Sequence, residues 1–274
     1  MIIRESLLIA MQKLKEKKID SARLDAEVLL CFVLKKDKAF IFAWPETKMT
    51  SQQVKTFNNL INKRIKGIPI AYLTGTKNFF GLDFCVNKNV LIPRPETEIL
   101  VEKAINAIKV KEIVADVGTG SGCIAIAVAK NSVAGTVFSL DQSAAALAVA
   151  KKNAKKNGVY EKIIFKRGNL IAPLRKQKID IILANLPYLN TKETIKLIAE
   201  PRKALWGGKK GCELYEKLIA QVTERKQKPR LMLFEIGETQ AKYLSTRINY
   251  FLPKAKVSII KDFCGFERFL QIQL

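Results

Sequence analysis

Two short segments of the chain carry residue types that could do chemistry together. The first follows an apolar run and consists of Asp116, Val117, Gly118, Thr119, Gly120, Ser121 and Gly122. The second follows another apolar run and consists of Asn185, Leu186, Pro187 and Tyr188. The first is typical of a loop that holds a nucleotide-like cofactor, and the second is typical of a clamp for a planar amide or amino group. In this order they predict transfer of a methyl group from S-adenosylmethionine (SAM) to a nitrogen atom.

The glycine-rich segment has the spacing G-x-G-x-G between a predicted strand and a predicted helix. Glycine accepts positive φ and lets the backbone approach a ligand closely. The G-x-G-x-x-G pattern, by contrast, seats a pyrophosphate, and SAM has no phosphate. We therefore predict contacts with SAM from Gly118, Thr119, Gly120, Ser121 and Gly122. Asp116 is predicted near the methionine ammonium or the loop backbone; the alternatives are a helix cap for Asp116 and an ordinary turn for the loop.

Three further residues complete the predicted cofactor site. Asp141 ends the next predicted strand, about 20 residues past the loop, where a carboxylate can accept hydrogen bonds from both ribose hydroxyls. Asn169 and Leu170 follow the third predicted strand and are expected near the adenine.

The second segment lies at the carboxyl end of a predicted central strand, where open α/β sheets bind ligands. An amide nitrogen is a poor nucleophile because its lone pair is delocalised into the carbonyl. We predict that the Asn185 side-chain oxygen and the Leu186 carbonyl accept hydrogen bonds from both N–H groups of the target, which orients the nitrogen and stabilises the positive charge developing on it. Pro187 restricts Leu186 to extended conformations, and Tyr188 can stack on the target. The alternative is a simple turn after a strand.

Composition excludes several other chemistries. The 274 residues contain no histidine, so Ser-His-Asp triads and histidine metal ligation are excluded. The five cysteines are odd in number and scattered without a C-x-x-C pair, which argues against a disulfide framework or a zinc site. No metal site is predicted.

The chain is strongly basic, with 48 Lys and Arg against 25 Asp and Glu, a net charge of +23. Such a charge favours nonspecific affinity for nucleic acid, although a lysine-rich solvated surface is the preferred explanation of the dispersed pattern. No run approaches the roughly 20 apolar residues of a membrane helix, and the first residues do not resemble a secretory signal. We expect a soluble, cytoplasmic monomer with no membrane partner.

The elements that position the two segments follow from hydrophobic periodicity. Up to residue 67 the apolar residues recur at helical spacing, and from residue 96 helical stretches alternate with predicted strands, which is typical of a doubly wound α/β sheet. The predicted strands are residues 112–117, 136–141, 163–166, 179–184, 229–236, 256–261 and 268–273. The last two predict an antiparallel hairpin at the sheet edge. We predict a helical bundle at residues 1–75, a linker with a β-hairpin at 76–95, and a Rossmann-like SAM-dependent methyltransferase domain at 96–274.

Several further motifs match a known family. They are Arg-Leu-Asp-Ala-Glu at 23–27, Pro-Ile-Ala-Tyr-Leu-Thr-Gly at 69–75, Leu-Ile-Pro-Arg-Pro-Glu-Thr-Glu at 91–98, Glu-Pro at 200–201, Ala-Leu-Trp-Gly-Gly at 204–208 and Glu-Ile-Gly at 235–237. With the two segments above, the chain resembles the peptide chain release factor N(5)-glutamine methyltransferases (PrmC/HemK family) over nearly its whole length.

The resemblance implies methylation of the glutamine in the Gly-Gly-Gln (GGQ) motif of class 1 translation release factors, a step of translation termination. It implies that the N-terminal helical domain helps to bind the release factor. It also implies that the glycine loop, Asp141, Leu170 and Asn185 contact SAM, that residues 185–188 hold the glutamine, and that Arg94 and Glu200 belong to the substrate-binding set.

Two positions depart from the family pattern. The family usually has Asn-Pro-Pro-Tyr, whereas this chain has Leu186 in the second position, so we expect a looser Asn185 and an intact carbonyl. The family often has aspartate where this chain has Asn169, so we expect weaker SAM binding and retained activity.

Three other functions remain open from the sequence. The same clamp suits a methyltransferase acting on a glutamine of a ribosomal protein, and it suits an adenine-N(6) methyltransferase acting on DNA or RNA. Against the second, no base-flipping recognition domain is evident. A basic RNA-binding module with a degenerate methyltransferase fold is the non-enzymatic alternative, against which the intact loop, Asp141 and Asn185 argue.

Overall fold

The computed structural model describes residues 1–195 and 199–274. These residues divide into two compact units, Met1–Thr76 and Lys77–Leu274.

The first unit is helical throughout. Its helices are α1 (Ile3–Glu16), α2 (Ala22–Leu34), α3 (Lys38–Ala43), α4 (Ser51–Ile65) and α5 (Ile70–Thr74). Their apolar faces meet in one core that includes Leu14, Leu30 and Phe57, all buried. The helix α4 begins with a capping box, in which the Thr50 hydroxyl accepts from the Gln53 amide at 3.2 Å and the Gln53 side chain accepts from the Thr50 amide at 2.8 Å.

The second unit begins with a two-stranded sheet and then alternates helices and strands. The small sheet pairs β1 (Thr76–Phe79) with β2 (Leu82–Cys85). The remaining strands are β3 (Ile113–Val117), β4 (Thr136–Asp141), β5 (Ile163–Arg167), β6 (Ile181–Ala184), β7 (Leu231–Glu235), β8 (Lys256–Lys261) and β9 (Glu267–Gln273). The helices are α6 (Thr97–Ala107), α7 (Cys123–Asn131), α8 (Ala144–Lys156), α9 (Thr191–Ile195), α10 (Glu213–Thr223) and α11 (Ala241–Phe251).

Seven strands form the main sheet in the order β5-β4-β3-β6-β7-β9-β8. The strands β3 to β7 are parallel, and β9 runs antiparallel between β7 and β8. The predicted α/β fold with an antiparallel edge hairpin is therefore confirmed. From β3 the chain builds outward to β5 and then returns to place β6 on the other side of β3, so the topological switch point lies between β3 and β6.

Two strands begin two residues later in the structure than predicted, and the other strand boundaries agree with the prediction to within one residue. The strand expected at 179–184 begins at Ile181, and just before it the Asp180 side-chain carboxylate accepts from the Ile113 amide at 2.9 Å. The strand expected at 229–236 begins at Leu231, after the Arg230 amide has bonded the Asp180 carbonyl at 2.9 Å.

The central parallel strands of the main sheet are buried on both faces, as expected of parallel strands with helices on each side. Every residue of β6 and β7 is buried. Such apolar strands hold the loops at their carboxyl ends in fixed positions. Within the described residues, no helix combines the length and the apolar character that crossing a membrane requires.

Candidate active site

The glycine-rich loop and the predicted clamp emerge side by side at the switch point. Val117, the last residue of β3, pairs with Ala184, the last residue of β6. The next residue on each strand, Gly118 and Asn185, therefore begins its segment at the same edge of the sheet. This is the crevice in which open α/β sheets bind ligands.

Two of the loop glycines are required by their surroundings as well as by their backbone angles. Gly118 has φ +76°, and a β-carbon there would lie 2.8 Å from Cδ2 of Leu186. Gly122 has φ +82°, and a β-carbon there would lie 3.0 Å from Cβ of Ala150 on α8. The loop therefore packs directly on the clamp on one side and on α8 on the other.

Four of the five amides of residues 118–122 are already hydrogen-bonded within the protein. The Gly118 and Thr119 amides both donate to the Leu140 carbonyl, at 2.9 and 2.8 Å. The Gly122 amide donates to the Thr119 carbonyl at 2.8 Å, and the Gly120 amide donates to Oδ2 of Asp141 at 3.0 Å. A phosphate-binding loop needs amides that point at the ligand, so this loop is built for a ligand without phosphate.

Asp116 lies beneath the loop and is fully buried. Its Oδ2 accepts from the Thr119 hydroxyl at 2.5 Å and from the Ala125 amide at 3.2 Å, whereas its Oδ1 has no partner among the described residues. Burial raises the pKa of this carboxyl to about 7, against the lowering effect of those two hydrogen bonds. Ser121 is also buried, and its carbonyl accepts from Nδ2 of Asn153 at 2.9 Å.

Asp141 lies beside the loop at the end of β4. Its Oδ2 accepts from Gly120 and its Oδ1 accepts from the Ser143 amide at 2.8 Å, which fixes the carboxylate and leaves lone pairs on both oxygens. Burial raises its pKa. Within the described residues Asp141 forms no ion pair, so its carboxylate gives the crevice an acidic side that suits a cationic ligand better than an anionic one.

Asn169 and Leu170 lie at the carboxyl end of β5, but in different environments. Asn169 is exposed, and its carbonyl accepts from Nε2 of Gln221 at 3.4 Å. Leu170 has φ +52°, which is uncommon outside glycine, and its side chain is buried in the core.

The clamp presents two oxygen acceptors. Nδ2 of Asn185 donates to the Thr97 hydroxyl at 3.1 Å, so the other end of this amide, Oδ1, is turned away from Thr97. The Leu186 amide donates to the Tyr215 hydroxyl at 3.0 Å. In the described part of the chain, no donor reaches Asn185 Oδ1 or the Leu186 carbonyl oxygen. These are the two atoms that the sequence predicts as acceptors for the target N–H groups.

Pro187 and Tyr188 are held by close backbone approaches. A β-carbon at Gly207 would lie 2.2 Å from the Pro187 carbonyl oxygen, and one at Gly211 would lie 2.3 Å from that of Tyr188. The Tyr188 carbonyl also accepts from Nε2 of Gln240 at 2.8 Å. Burial raises the pKa of the Tyr188 phenol to about 12, so this ring stays neutral and available for stacking.

Arg94 and Glu200, both predicted to bind substrate, pair with each other. The Arg94 guanidinium forms an ion pair with one carboxylate oxygen of Glu200, and the other oxygen accepts from the Ile92 amide at 3.0 Å. Glu200 thereby fixes the position of the segment that precedes α6. The Arg94 side chain is 40% exposed, so it can also meet a ligand from solvent.

Three residues of the site, Glu235, Thr97 and Tyr215, are absent from the set of site residues that the sequence predicts. Glu235, at the end of β7, is buried and accepts a hydrogen bond from the Thr97 hydroxyl at 2.7 Å. Its backbone carbonyl accepts from the Tyr215 hydroxyl. The sequence did contain a signal, since Glu235 is the one charged residue in the otherwise apolar strand β7.

Among the described residues, no group of three or more Cys, Asp or Glu side chains could hold a metal ion.

Comparisons with known families match most of the chain. The family described as "PrmC N-terminal domain" matches residues 5–75. The family described as "Methyltransferase small domain" matches residues 95–211, which include the loop, Asp141 and the clamp.

Curated relatives and solved structures agree with these matches. The chain is 36% identical to the release factor glutamine methyltransferase of Dictyoglomus turgidum, covering 98% of each chain. It is 35% identical to the protein of the same name from Nitratidesulfovibrio vulgaris, covering 95% of this chain and 91% of the relative. A crystal structure of ribosomal protein L11 methylase from Lactobacillus delbrueckii subsp. bulgaricus is similar with a TM-score of 0.50 and 25% identity, covering 69% of this chain and 83% of that one.

Proposed function

The chain belongs to the release factor glutamine methyltransferase family, and from this premise we propose that it methylates the side-chain amide nitrogen of the glutamine in the GGQ motif of class 1 translation release factors, with SAM as the methyl donor. The observation that carries the proposal is the pair of acceptors at the clamp. Asn185 Oδ1 and the Leu186 carbonyl oxygen are without donors from the described residues, and they lie beside the glycine loop. A primary amide has two N–H groups to offer them.

The loop and its acidic neighbours fit SAM. SAM, when bound, supplies an electrophilic methyl group on a positively charged sulfonium. The amides of Gly118, Thr119, Gly120 and Gly122 are bonded within the protein, which argues against a phosphate cradle, and the carboxylate of Asp141 favours a cation. We propose that Asp141 binds the ribose hydroxyls, that Asn169 and Leu170 lie near the adenine, and that the loop from Gly118 to Gly122 lies against the methionine portion.

The clamp makes a poor nucleophile reactive by positioning. Hydrogen bonds from both substrate N–H groups to Asn185 Oδ1 and the Leu186 carbonyl fix the plane of the amide. The same two oxygens stabilise the positive charge that grows on the nitrogen as its lone pair leaves conjugation, and preorganised acceptors of this kind contribute several kcal/mol. Tyr188 stacks on the amide plane, and Arg94 with Glu200 holds the segment beside it.

The helical unit is proposed to bind the release factor outside the glutamine. In this proposal residues 1–75 serve substrate binding, residues 76–95 serve as the linker, and residues 96–274 carry the chemistry. The assignment is supported by the match of residues 5–75 to the PrmC N-terminal domain family.

The proposal is tested by mass spectrometry of a purified class 1 release factor after incubation with the protein and SAM. We expect one added methyl group on the GGQ glutamine. Asn185→Ala should abolish it, because Oδ1 is lost. Asn249→Ala, which changes an exposed asparagine of α11, is the matched control and should leave it unchanged.

The alternatives are distinguished in the same assay. A ribosomal protein fraction and adenine-containing DNA and RNA oligonucleotides are incubated in parallel. An unmodified release factor, together with a methylated ribosomal-protein glutamine or a methylated adenine, would replace the proposed substrate. The similarity to ribosomal protein L11 methylase makes the ribosomal fraction the more informative of these two.

A further inference from the structure

We propose that Glu235 is a positioning residue that, through the Thr97 hydroxyl and through its own interaction with Asn185, determines which way the Asn185 side-chain amide faces. This inference rests on the proposed function of Asn185 as an acceptor for the substrate amide. Glu235, Thr97 and Asn185 are called the amide-orienting chain below.

The amide-orienting chain connects three separate elements at the carboxyl edge of the sheet. The Thr97 hydroxyl, on the first turn of α6, donates to Oε2 of Glu235 at 2.7 Å. Nδ2 of Asn185, just after β6, donates to the same Thr97 oxygen at 3.1 Å. Both bonds run in the same direction, from Asn185 through Thr97 to Glu235.

The direction follows from the single proton of a hydroxyl group. Because Glu235 accepts that proton, the Thr97 oxygen can only accept from Asn185. Asn185 must then turn its NH₂ group inward and its Oδ1 outward. An asparagine that turned the other way would present two N–H donors to the two N–H donors of a glutamine, and the pair would repel.

Tyr215 holds the same region together through the backbone. Its hydroxyl donates to the Glu235 carbonyl and accepts from the Leu186 amide at 3.0 Å. One buried tyrosine on α10 thereby fixes the end of β7 against the second residue of the clamp. Hydrogen bonds therefore connect both acceptors of the clamp to Glu235. Asn185 is connected to its side chain, and Leu186 is connected to its backbone carbonyl.

The surroundings of Glu235 keep its carboxylate available as an acceptor. Glu235 is 2% exposed. Burial raises its pKa to about 7. The hydrogen bond from Thr97, the charge of Arg268 and a hydrogen bond from the Asn185 side chain lower it, and the charge of Glu96 raises it. The phenol of Tyr188, which also faces this carboxylate, stays neutral because its own pKa is raised to about 12. Near pH 8 the carboxylate is therefore ionised, and it has no proton to donate.

Kinetics of three variants test the role of the chain. Thr97→Val removes the hydroxyl at constant shape, Thr97→Ser keeps it, and Glu235→Gln introduces an NH₂ group that can donate to Thr97 and reverse the chain. We expect Thr97→Val and Glu235→Gln to lower kcat on the release factor by roughly 10- to 100-fold, a range typical of a misplaced reacting group. Thr97→Ser should restore most of kcat. SAM affinity should stay near that of the wild type in all three.

Two further variants distinguish a lost orientation of the Asn185 amide from a general loss of structure. In the double variant Thr97→Val with Glu235→Gln, the combined loss of kcat should be smaller than the product of the two single losses, because both residues act on the Asn185 amide. Thr246→Val, which removes a hydroxyl bonded at 3.0 Å to a carbonyl of its own helix α11, should leave kcat unchanged. Multiplying losses in the double variant, or equal kcat for Thr97→Val and Thr97→Ser, would overturn the inference.

A measurement on the protein alone keeps the inference testable without a substrate. The side-chain amide resonances of Asn185 in ¹⁵N-labelled protein are assigned by their absence in Asn185→Ala. Exchange of these protons with water should be at least several-fold faster in Thr97→Val and Glu235→Gln than in the wild type and Thr97→Ser. Unchanged exchange in both variants would reject the amide-orienting chain. A wild-type protein that leaves the release factor unmethylated would reject the proposed function instead.

Discussion

Leu186 covers Gly118, because Cδ2 of Leu186 lies 2.8 Å from the place where Gly118 would carry a β-carbon. The loop proposed to hold the methyl donor and the clamp proposed to hold the acceptor are therefore in direct contact. A substitution in the loop at this contact should therefore also displace the clamp, and a substitution in the clamp should also displace the loop.

A β-carbon at Gly118 should disturb both segments. Gly118→Ala adds left-handed backbone strain of about 1–2 kcal/mol and pushes Leu186 out of place, so we expect lower SAM affinity, lower kcat and a lower melting temperature. Gly158→Ala is a matched control, because Gly158 has φ +71° and its β-carbon would meet nothing within 4 Å. Calorimetry should show a similar strain penalty in Gly158→Ala with unchanged SAM affinity. Equal SAM affinities in the two variants would contradict the contact.

Restoring proline in the second position of the clamp should destabilise this protein. Leu186→Pro removes the amide that donates to Tyr215 at 3.0 Å and the side chain over Gly118. We expect a loss of about 1–3 kcal/mol in the free energy of unfolding, with kcat within about tenfold of the wild type because the carbonyl remains. Urea unfolding gives the first quantity. In a Tyr215→Phe background the same substitution should cost less, and an identical cost in both backgrounds would argue against the hydrogen bond.

Glu235 should make kcat/KM depend on pH near neutrality. Its pKa is raised to about 7, so as pH falls below that value the carboxyl gains a proton that it can donate to Thr97, reversing the amide-orienting chain. We expect kcat/KM, which reports the free enzyme, to fall about tenfold per pH unit below the pKa. No histidine is present to titrate in this range. In Glu235→Gln the fall of kcat/KM at low pH should disappear, and kcat/KM should be lower at every pH. Asp116→Asn changes the other carboxyl with a pKa of about 7 and should keep the fall at low pH.

Asp116 should make stability depend on pH with a definite sign. Its pKa is about 7 in the folded protein against an ordinary value of 3.8, so between these values the folded protein keeps a proton that the unfolded chain has lost. The free energy of unfolding should therefore fall as pH rises from about 4 to about 7, by up to about 1.4 kcal/mol per pH unit, and level off above. Urea unfolding of Asp116→Asn at pH 5, 6, 7 and 8 should show a smaller slope. A slope equal to the wild type would exclude this carboxyl as its source.

Removing the charge of Glu200 should loosen the segment that carries Arg94. Glu200→Gln breaks the ion pair and weakens the bond from the Ile92 amide. We expect a several-fold higher KM for the release factor, roughly 1 kcal/mol, with unchanged SAM affinity. Glu224→Gln is the control, because its carboxylate is 68% exposed and lies 3.7 Å from Arg175, and exposed pairs of this kind contribute about 0–1 kcal/mol. Steady-state kinetics should separate the two, and a KM that rises equally in both would point to a nonspecific loss of negative charge.

The fold was largely predictable because its signals are local. From residue 112 onward, short runs of strand length alternate with helical stretches, and all seven predicted strands exist. The proximity of Gly118 and Asn185 was predictable for a related reason, since both follow parallel strands whose carboxyl ends share one edge. In the structure β6 is the neighbour of β3, which brings Gly118 and Asn185 side by side.

The partners of the clamp were not predictable from periodicity. Thr97 and Glu235 are separated by 138 positions, and Asn185 and Thr97 by 88. Their meeting depends on which face α6 turns to the sheet and on β7 lying beside β6, and neither follows from the spacing of apolar residues. Sequence reasoning likewise could not foresee that Arg94 and Glu200 would satisfy each other's charge.

The internal bonding of the loop amides has a consequence for selectivity inside a cell. The common adenine nucleotides share an adenosine with SAM but carry di- or triphosphates. At this loop a phosphate would find the amides of Gly118, Thr119, Gly120 and Gly122 already bonded within the protein, and it would face the carboxylate of Asp141. We therefore expect ATP and ADP to compete poorly with SAM, because of this charge and because few amide donors are left to bind a phosphate.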